Sequence, residues 1–271
     1  MKRSSLILAA SAVLLPVLAV APGCASKKKK APFTGVNFAH RGLHTRDKSV
    51  PENSLRAFEL AASAGYGMEL DVQLSLDGQV VVFHDDTLDR VCGVHAAVCE
   101  KSYEELHAMS LCGSTETVPL FTDVLKVIDG RGPLIVELKT GKRNRELCEK
   151  TLKILRGYKG DVCIESFDPT IVEWFRFHGR EFVRGQLAMG ADKYRFRSKL
   201  LAWCCSHTIF NFLARPQFIA YDIGTMPPLV SLSCALGALK VGWTSHDPVS
   251  ENYNDSVIFE FYKPRRKYGK K

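Results

Sequence analysis

Short apolar runs recur along this chain, and five of them end in, or contain, a polar residue that can do chemistry. Each run is short enough for a strand and too short for a buried helix. The runs are residues 36–39 before His40, 68–72 with Glu69 and Asp71, 80–83 before His84, 134–136 before Glu137, and 239–242 before Trp243. Polar groups at the carboxyl ends of successive strands are typical of the active face of a (β/α)8 barrel.

Helical patterns separate most of the runs. Eight strand candidates cover residues 36–39, 68–72, 80–83, 134–137, 162–166, 183–186, 218–221 and 239–243. Alternation of strands and helices predicts a parallel sheet, and eight strands predict closure. We therefore predict an α/β fold, a (β/α)8 TIM barrel, with a small insertion after the third strand, where residues 86–101 show no clear period.

One turn signal conflicts with a regular barrel. Asp77-Gly78 between the second and third runs is typical of a hairpin, whereas successive barrel strands are parallel and separated by a helix. Residues 80–83 could pair beside the second strand without a helix, or residues 75–79 could form a tight crossover. The sequence is compatible with both.

The polar residues of two runs are expected to share a face. Side chains two apart on a strand point the same way, so Glu69 pairs with Asp71 and Glu137 with Lys139. Three carboxylates, a lysine and the two histidines that follow other strands would then meet at the carboxyl mouth of the barrel. This arrangement predicts a metal-assisted hydrolase site.

Charge is distributed unevenly along the chain. The net charge is +8, with six basic residues before residue 31, six after residue 262, and no acidic residue in either end. The remainder carries a slight excess of acidic residues. Nucleic-acid binding requires a basic face on the folded body, so we predict no nucleic-acid partner. Basic ends beside an apolar segment fit an anionic membrane surface better, and no protein partner is indicated.

Residues 4–23 are almost wholly apolar, interrupted only by Pro16. About 20 such residues span a bilayer as a helix. We divide the chain into residues 1–32, a membrane anchor or signal segment with a basic linker, and residues 33–271, the catalytic domain. A cleaved secretory signal and a lipoprotein processed at Ala21-Pro22-Gly23-Cys24 are alternatives, although Pro22 disfavours both. Four lysines after the segment favour a cytoplasmic body.

Residues 200–213 are more apolar than the outer helix of a barrel requires. They could form a helix buried under a neighbouring loop. They could instead form an interfacial helix that rests on a membrane.

Eight motifs carry a family resemblance. In chain order they are His40-Arg41-Gly42, Pro51-Glu52-Asn53-Ser54, Glu69-Leu70-Asp71-Val72, Asp77-Gly78, Val82-Phe83-His84-Asp85, Glu137-Leu138-Lys139, Ser166-Phe167 and Trp243-Thr244. This ordered set resembles the glycerophosphodiester phosphodiesterase family. The resemblance implies a barrel with a small insertion, a divalent cation and phosphodiester hydrolysis. It implies Glu69, Asp71 and Glu137 as metal ligands, and His40 and His84 as the acid/base pair.

Elementary chemistry agrees with this assignment. Carboxylates suit one hard divalent cation, Ca²⁺ or Mg²⁺. The nine cysteines form no CxxC pair with a matching second pair, which argues against zinc. Imidazole titrates near neutral pH and suits both proton transfers, and which histidine is the acid stays open. Arg41 and Lys139 can bind the phosphate.

The remaining candidates keep two interpretations each. Glu52 could be a metal-adjacent ligand or could orient Arg41. Trp243 could line the pocket for the alcohol, or be a core aromatic. Asn53 is expected to cap a helix, and His44 to be a surface or packing residue.

The sequence thus predicts a membrane-anchored, metal-dependent hydrolase that converts glycerophosphodiesters to sn-glycerol 3-phosphate and an alcohol. A lysophospholipase D acting on membrane lysolipids is the alternative enzyme. A membrane-tethered head-group binder without catalysis is a third possibility, disfavoured by the complete set of carboxylates and histidines.

Overall fold

The computed structural model describes residues 15–196 and 198–269, and its centre is a closed barrel. Its strands are β1 (Phe38–Ala39), β2 (Gly67–Leu74), β3 (Val80–Val82), β4 (Leu134–Leu138), β5 (Val162–Ser166), β6 (Val183–Ala188), β7 (Phe218–Asp222), β8 (Leu239–Ser245) and β9 (Ser256–Phe259). Eight of them are parallel in the order β1-β2-β4-β5-β6-β7-β8-β9, and β9 pairs with β1 to close the ring. The predicted eight-stranded barrel is confirmed.

Strand β3 lies outside the ring. It runs antiparallel to the carboxyl end of β2, with Val72 opposite Val82 and Leu74 opposite Val80. Gly78 supplies the positive φ of the connecting turn, and its N–H donates to the carbonyl of Ser75 at 3.0 Å. The hairpin interpretation was therefore right, and counting residues 80–83 among the eight barrel strands was wrong.

Strand β9 takes the missing place in the ring. The sequence prediction passed over it because the connection from β8 is short and contains only the 3-10 helix Pro248–Asn252. Without a helical pattern before it, a four-residue strand carries little signal. The barrel therefore closes without a full helix between its last two strands.

Helices surround the ring. They are α1 (Lys27–Lys30), α2 (Leu55–Ala64), α3 (Asp89–Cys92), α4 (Tyr103–His107), α5 (Phe121–Ile128), α6 (Asn144–Arg156), α7 (Pro169–His178), α8 (Lys199–Ser206), α9 (Asn211–Ala214) and α10 (Pro228–Ala235). Helices α3 and α4 belong to the insertion that follows β3, which has its own small core packed against Val81 and Phe83. The predicted insertion is thus present.

Alternation along the strands separates two apolar layers. On β2, Met68, Leu70 and Val72 join the core between the strands and the outer helices, so Glu69 faces the barrel interior. Phe218 belongs to the inner core. A Cβ on the neighbouring Gly185 would lie 2.0 Å from its ring, so only glycine fits there. The barrel interior is apolar toward the amino ends of the strands, and the polar residues of the site lie at the carboxyl ends.

Residues before β1 lie against the amino end of the barrel. Gly23 N–H donates to the carbonyl of Pro216 at 2.9 Å, and Arg215 Nη1 donates to the carbonyl of Ala21 at 3.0 Å. Val20 and Phe33 are buried. The predicted boundary at residue 33 stays a prediction, but part of the segment before it is in contact with the barrel.

The predicted membrane anchor is not supported by the described residues. Within residues 15–196 and 198–269, no helix is long and apolar enough to cross a bilayer. Most of the apolar segment 4–23 lies outside the residues that the structure describes. Its role as an anchor therefore stays a hypothesis.

The apolar stretch 200–213 forms α8, a turn and α9 rather than one helix. Leu200, Leu201, Trp203 and Phe212 are exposed, so the interpretation of a helix buried under a loop was wrong for these side chains.

Candidate active site

Three carboxylates meet inside the carboxyl end of the barrel. Glu69 and Asp71 lie on β2, and Glu137 on β4 is the register partner of Asp71. All three are buried, and one oxygen of each lies within 4.8 Å of the others. The geometry therefore brings the three predicted metal ligands together.

The electrostatics of this cluster fit a divalent cation. Burial, together with the charges of Asp71 and Glu137, raises the pKa of Glu69 well above its usual value. Burial also raises the pKa of Glu137. The charge of Lys139 acts to lower this pKa, and the charge of Asp71 acts to raise it further. Three close oxygen donors with this mutual repulsion match the coordination chemistry of a hard cation.

His40 follows β1, and the nitrogen of its ring that points away from the carboxylate cluster contacts Glu260. Its Nδ1 lies 2.6 Å from Glu260 Oε1, and its Nε2 lies 3.8 Å from Glu69 Oε2. Burial raises the pKa of Glu260, but hydrogen bonds from His40 and His44 outweigh it and lower that pKa below its usual value. The ionised Glu260 accepts a hydrogen bond, so Nδ1 carries the proton and Nε2 faces the carboxylate cluster.

His84, which follows β3, has the same kind of support. Its Nδ1 lies 2.6 Å from Asp85 Oδ1, and Arg90 Nε donates to Asp85 Oδ2 at 2.6 Å. Burial raises the pKa of Asp85, but the hydrogen bonds from His84 and Arg90 outweigh it and lower the pKa. His84 therefore also presents Nε2 as its free nitrogen.

Arg90 links this histidine to the phosphate-binding candidates. It donates to Glu52 through Nη1 at 2.6 Å and Nη2 at 2.7 Å, while Arg41 Nη1 donates to Glu52 at 2.8 Å. Burial opposes ionisation of Glu52, yet Arg90 and Arg41 lower its pKa to about 2. Glu52 thus orients Arg41, and it is absent from the group of carboxylates spaced for a common metal ion.

Two cations lie directly beside the carboxylates. Lys139 Nζ lies 2.9 Å from Glu137 Oε1 and 3.4 Å from Asp71 Oδ1. Burial lowers the pKa of Lys139, but these two carboxylates outweigh it and raise the pKa. Arg41 Nε lies 3.6 Å from Asp71 Oδ2 and has no hydrogen-bond partner within the described residues.

The turn between β1 and α2 places Arg41 and Asn53. Both have positive φ, 54° and 55°, and Asn53 N–H donates to the carbonyl of Arg41 at 2.9 Å. Asn53 Nδ2 donates to Asp71 Oδ2 at 2.9 Å, whereas Ser54 caps α2. The prediction that Asn53 caps the helix was wrong, because its side chain reaches into the site.

Residues 40–260 match the Glycerophosphoryl diester phosphodiesterase family. This chain belongs to that family. Human Glycerophosphodiester phosphodiesterase 1 is 31% identical to this family member over 89% of this chain and 81% of that protein.

Other family comparisons cover less sequence or show the fold alone. A Glycerophosphodiester phosphodiesterase from Bacillus altitudinis is 36% identical over 38% of this chain and 43% of that protein. The chain spans about half the length of several curated relatives that it matches. An Oleispira antarctica phosphodiesterase, solved with the product sn-glycerol-3-phosphate, superposes with a TM-score of 0.68 at 21% identity, covering 84% and 93% of the two chains.

Aromatic rings form one wall beside the site of this family member. Trp243 on β8 donates from Nε1 to the carbonyl of Ala220 at 3.1 Å, and its ring lies edge-on to Phe167 at 5.6 Å. Phe167 follows β5 and lies 6.3 Å from the ring of Tyr194. Trp243 is partly exposed and also packs against the inner apolar core, so its role in lining the pocket for the alcohol stays a prediction.

Besides Asn53, three polar residues of the site escaped the sequence prediction. Glu260 directly follows an apolar strand, the same signal that identified His40, but that strand was not recognised. Arg90 lies in the insertion, where no periodic pattern marks it. His44 was assigned to surface or packing, yet its Nε2 lies 3.3 Å from Glu260 Oε1.

Proposed function

We propose that this protein hydrolyses glycerophosphodiesters to sn-glycerol 3-phosphate and an alcohol in a metal-dependent reaction. The observation that carries the proposal is the close group of Glu69, Asp71 and Glu137, with the free nitrogen of His40 directed at it. Membership of the family and the product complex of the Oleispira antarctica relative support the reaction class.

Glu69, Asp71 and Glu137 would hold one divalent cation, Ca²⁺ or Mg²⁺. When bound, such an ion supplies charge neutralisation at the non-bridging oxygens of the phosphodiester. Arg41 and Lys139 add positive charge at the same edge, and the Arg41 guanidinium offers a planar fork for phosphate oxygens. The substrate in this proposal is a small anionic phosphodiester.

His40 and His84 carry the proton transfers in this proposal. Each keeps its Nδ1–H on a carboxylate, Glu260 or Asp85, so each offers Nε2 to the substrate. One imidazole removes a proton from the nucleophile, and the other gives a proton to the leaving alkoxide. The supporting carboxylates stabilise the imidazolium that forms on either side.

The test measures glycerol 3-phosphate released from glycerophosphocholine, glycerophosphoethanolamine and glycerophosphoglycerol. We expect turnover that EDTA abolishes and that added Ca²⁺ or Mg²⁺ restores. Glu69→Gln should remove turnover and weaken metal binding in isothermal calorimetry. A folded protein that binds the cation but cleaves none of the three diesters would favour the head-group binder instead.

A lysophospholipase D is the second candidate. A rat lysophospholipase D is 30% identical over 51% of this chain and 46% of that protein, and exposed apolar side chains lie on α8. Comparing glycerophosphocholine with lysophosphatidylcholine as substrates separates the two candidates. The anchoring role of residues 4–23 belongs to the same hypothesis.

A further inference from the structure

The connection from β6 to α8 has an unusual composition. From Lys193 the sequence reads Lys-Tyr-Arg-Phe-Arg-Ser-Lys, with basic and aromatic residues alternating, and then Leu-Leu-Ala-Trp to Trp203. No acidic residue occurs between Lys193 and Tyr221. The segment therefore combines a run of positive charge with large apolar side chains.

These apolar side chains point into solvent. The exposed fractions are 45% for Phe196, 71% for Leu200, 41% for Leu201 and 45% for Trp203. We call these four residues the α8 surface. Arg195 and Lys199, which lie between or beside them in the chain, are exposed as well. An apolar patch bordered by basic groups differs from an ordinary solvated helix face.

The α8 surface adjoins the mouth of the catalytic site. Lys193 Nζ pairs with Asp222 Oδ2 at 2.5 Å, which holds the start of the segment at the carboxyl end of β7. The ring of Phe196 stacks on Tyr194 at 5.1 Å, and Tyr194 is the outer member of the aromatic wall. Aromatic contacts thus lead without a break from Trp243 to the α8 surface.

The basic residues beside the α8 surface and its exposed apolar side chains together fit one kind of binding partner. A water-soluble acidic partner would explain the basic residues but not the exposed Leu200 and Trp203. An anionic phospholipid bilayer explains both, because basic side chains bind its head groups while leucine and tryptophan enter its interfacial layer. Tryptophan in particular prefers the membrane–water boundary.

We propose that the α8 surface docks the mouth of the site onto an anionic phospholipid bilayer. The binding part of this inference stands on the surface alone. Its catalytic consequence, faster turnover of substrates held in the bilayer, rests on the proposed function.

The first test uses the full chain and vesicles of phosphatidylcholine with phosphatidylglycerol. Part of the phosphatidylcholine carries brominated acyl chains. Bromine quenches tryptophans that enter the bilayer, so Trp203 should be quenched while Trp174 and Trp243 are not. Quenching should fall at least threefold in Trp203→Phe and vanish in vesicles of phosphatidylcholine alone. Equal quenching in the two proteins would overturn the proposal.

A pair of charge variants gives the second test. Leu200→Glu should lower the quenching of Trp203 at least threefold. Leu236→Glu is the matched control, because Leu236 is 44% exposed and lies at the amino end of the barrel beside Gly237, which binds Lys30. Residues 4–23 are unchanged in both variants, so a difference between them reports the α8 surface. Equal effects of the two variants would contradict the proposal.

Two further outcomes are separable. If Leu200→Glu converts a dimer to a monomer in sedimentation without changing vesicle quenching, a second copy covers the surface and the proposal is wrong. If Trp203 is quenched but the protein cleaves no soluble glycerophosphodiester, the proposed function fails and the docking surface stands. Unchanged circular dichroism shows that Leu200→Glu folds.

Discussion

Replacing Glu260 by Gln tests whether the carboxylate behind His40 takes part in the reaction. The substitution keeps the size of the side chain and removes its charge. In the structure Glu260 Oε1 lies 2.6 Å from His40 Nδ1, and both side chains are largely buried. Glu260→Gln therefore changes the electrostatics of His40 with little change in packing.

The expected size of the effect follows from the hydrogen bond. Bonds to charged groups contribute about 1.5–3 kcal/mol and neutral ones about 0.5–1.5 kcal/mol. A difference of about 1.4 kcal/mol in the transition state lowers kcat about tenfold. If the amide of the new Gln donates to Nδ1, His40 takes the wrong tautomer, a fault that costs about 10⁴-fold in a Ser-His-Asp triad.

The pH profile of the variant shows which role His40 has. Burial and the charge of Arg41 lower the pKa of His40, and Glu260 opposes them, so the pKa falls further in Glu260→Gln. A general acid must be protonated, and activity is lost above its pKa, so the alkaline limb of kcat would move to lower pH. A general base must be neutral, so the acidic limb would move to lower pH instead.

Steady-state kinetics on glycerophosphocholine at saturating cation provide the assay. Glu181→Gln is the matched control, because Glu181 also accepts a hydrogen bond from a charged group, Arg156 Nε at 2.7 Å, but lies on the surface away from the site. Unchanged kcat and unchanged pH limbs in Glu260→Gln, with melting temperature preserved, would refute the proposed support of His40.

Three further perturbations probe the site, the barrel and the amino-terminal segment. Arg90→Met should lower kcat/KM about tenfold with little loss of stability, because the half-exposed Arg90 side chain orients Glu52 and Asp85. These two carboxylates in turn support Arg41 and His84. Wild-type kinetics in the variant would contradict this role. Gly185→Ala should lower the free energy of unfolding, measured by urea titration, by about 1–3 kcal/mol, because the new Cβ would overlap the ring of Phe218. Gly141→Ala is the control: it has open space around it and should change the free energy of unfolding by less than about 0.5 kcal/mol. Removal of residues 1–30 should lower the melting temperature, because the buried side chain of Val20 and the hydrogen bonds of residues 21–23 to the barrel are lost. A melting temperature equal to that of the full chain would be evidence against that contact.

Much of the barrel was predictable because parallel strands buried on both faces leave short apolar runs in the sequence. The exceptions have physical causes. Residues 80–83 have the composition of a buried strand because they pack between β2 and the core of the insertion, and composition does not distinguish that position from the ring. Residues 256–259 form a ring strand without the helix that usually precedes one.

The site was predictable where its residues lie on strands. Glu69, Asp71, Glu137 and Lys139 come together because the period of two and the parallel register determine which side chains face inward. Arg90 could not be placed in this way, since it lies on the short helix α3 of the insertion, which no periodic pattern in the sequence marks. The sequence likewise could not show that Asn53 turns toward Asp71 instead of capping α2.

Closure of the ring joins the two ends of the catalytic domain. Strand β1 pairs with β9, and His40 receives its carboxylate from Glu260, 220 residues later in the chain. During synthesis on the ribosome, a nascent chain that lacks its last few strands therefore has neither a sealed barrel nor a complete proton-transfer pair. Under the proposed function, the enzyme would become active only after residues 256–260 have left the exit tunnel.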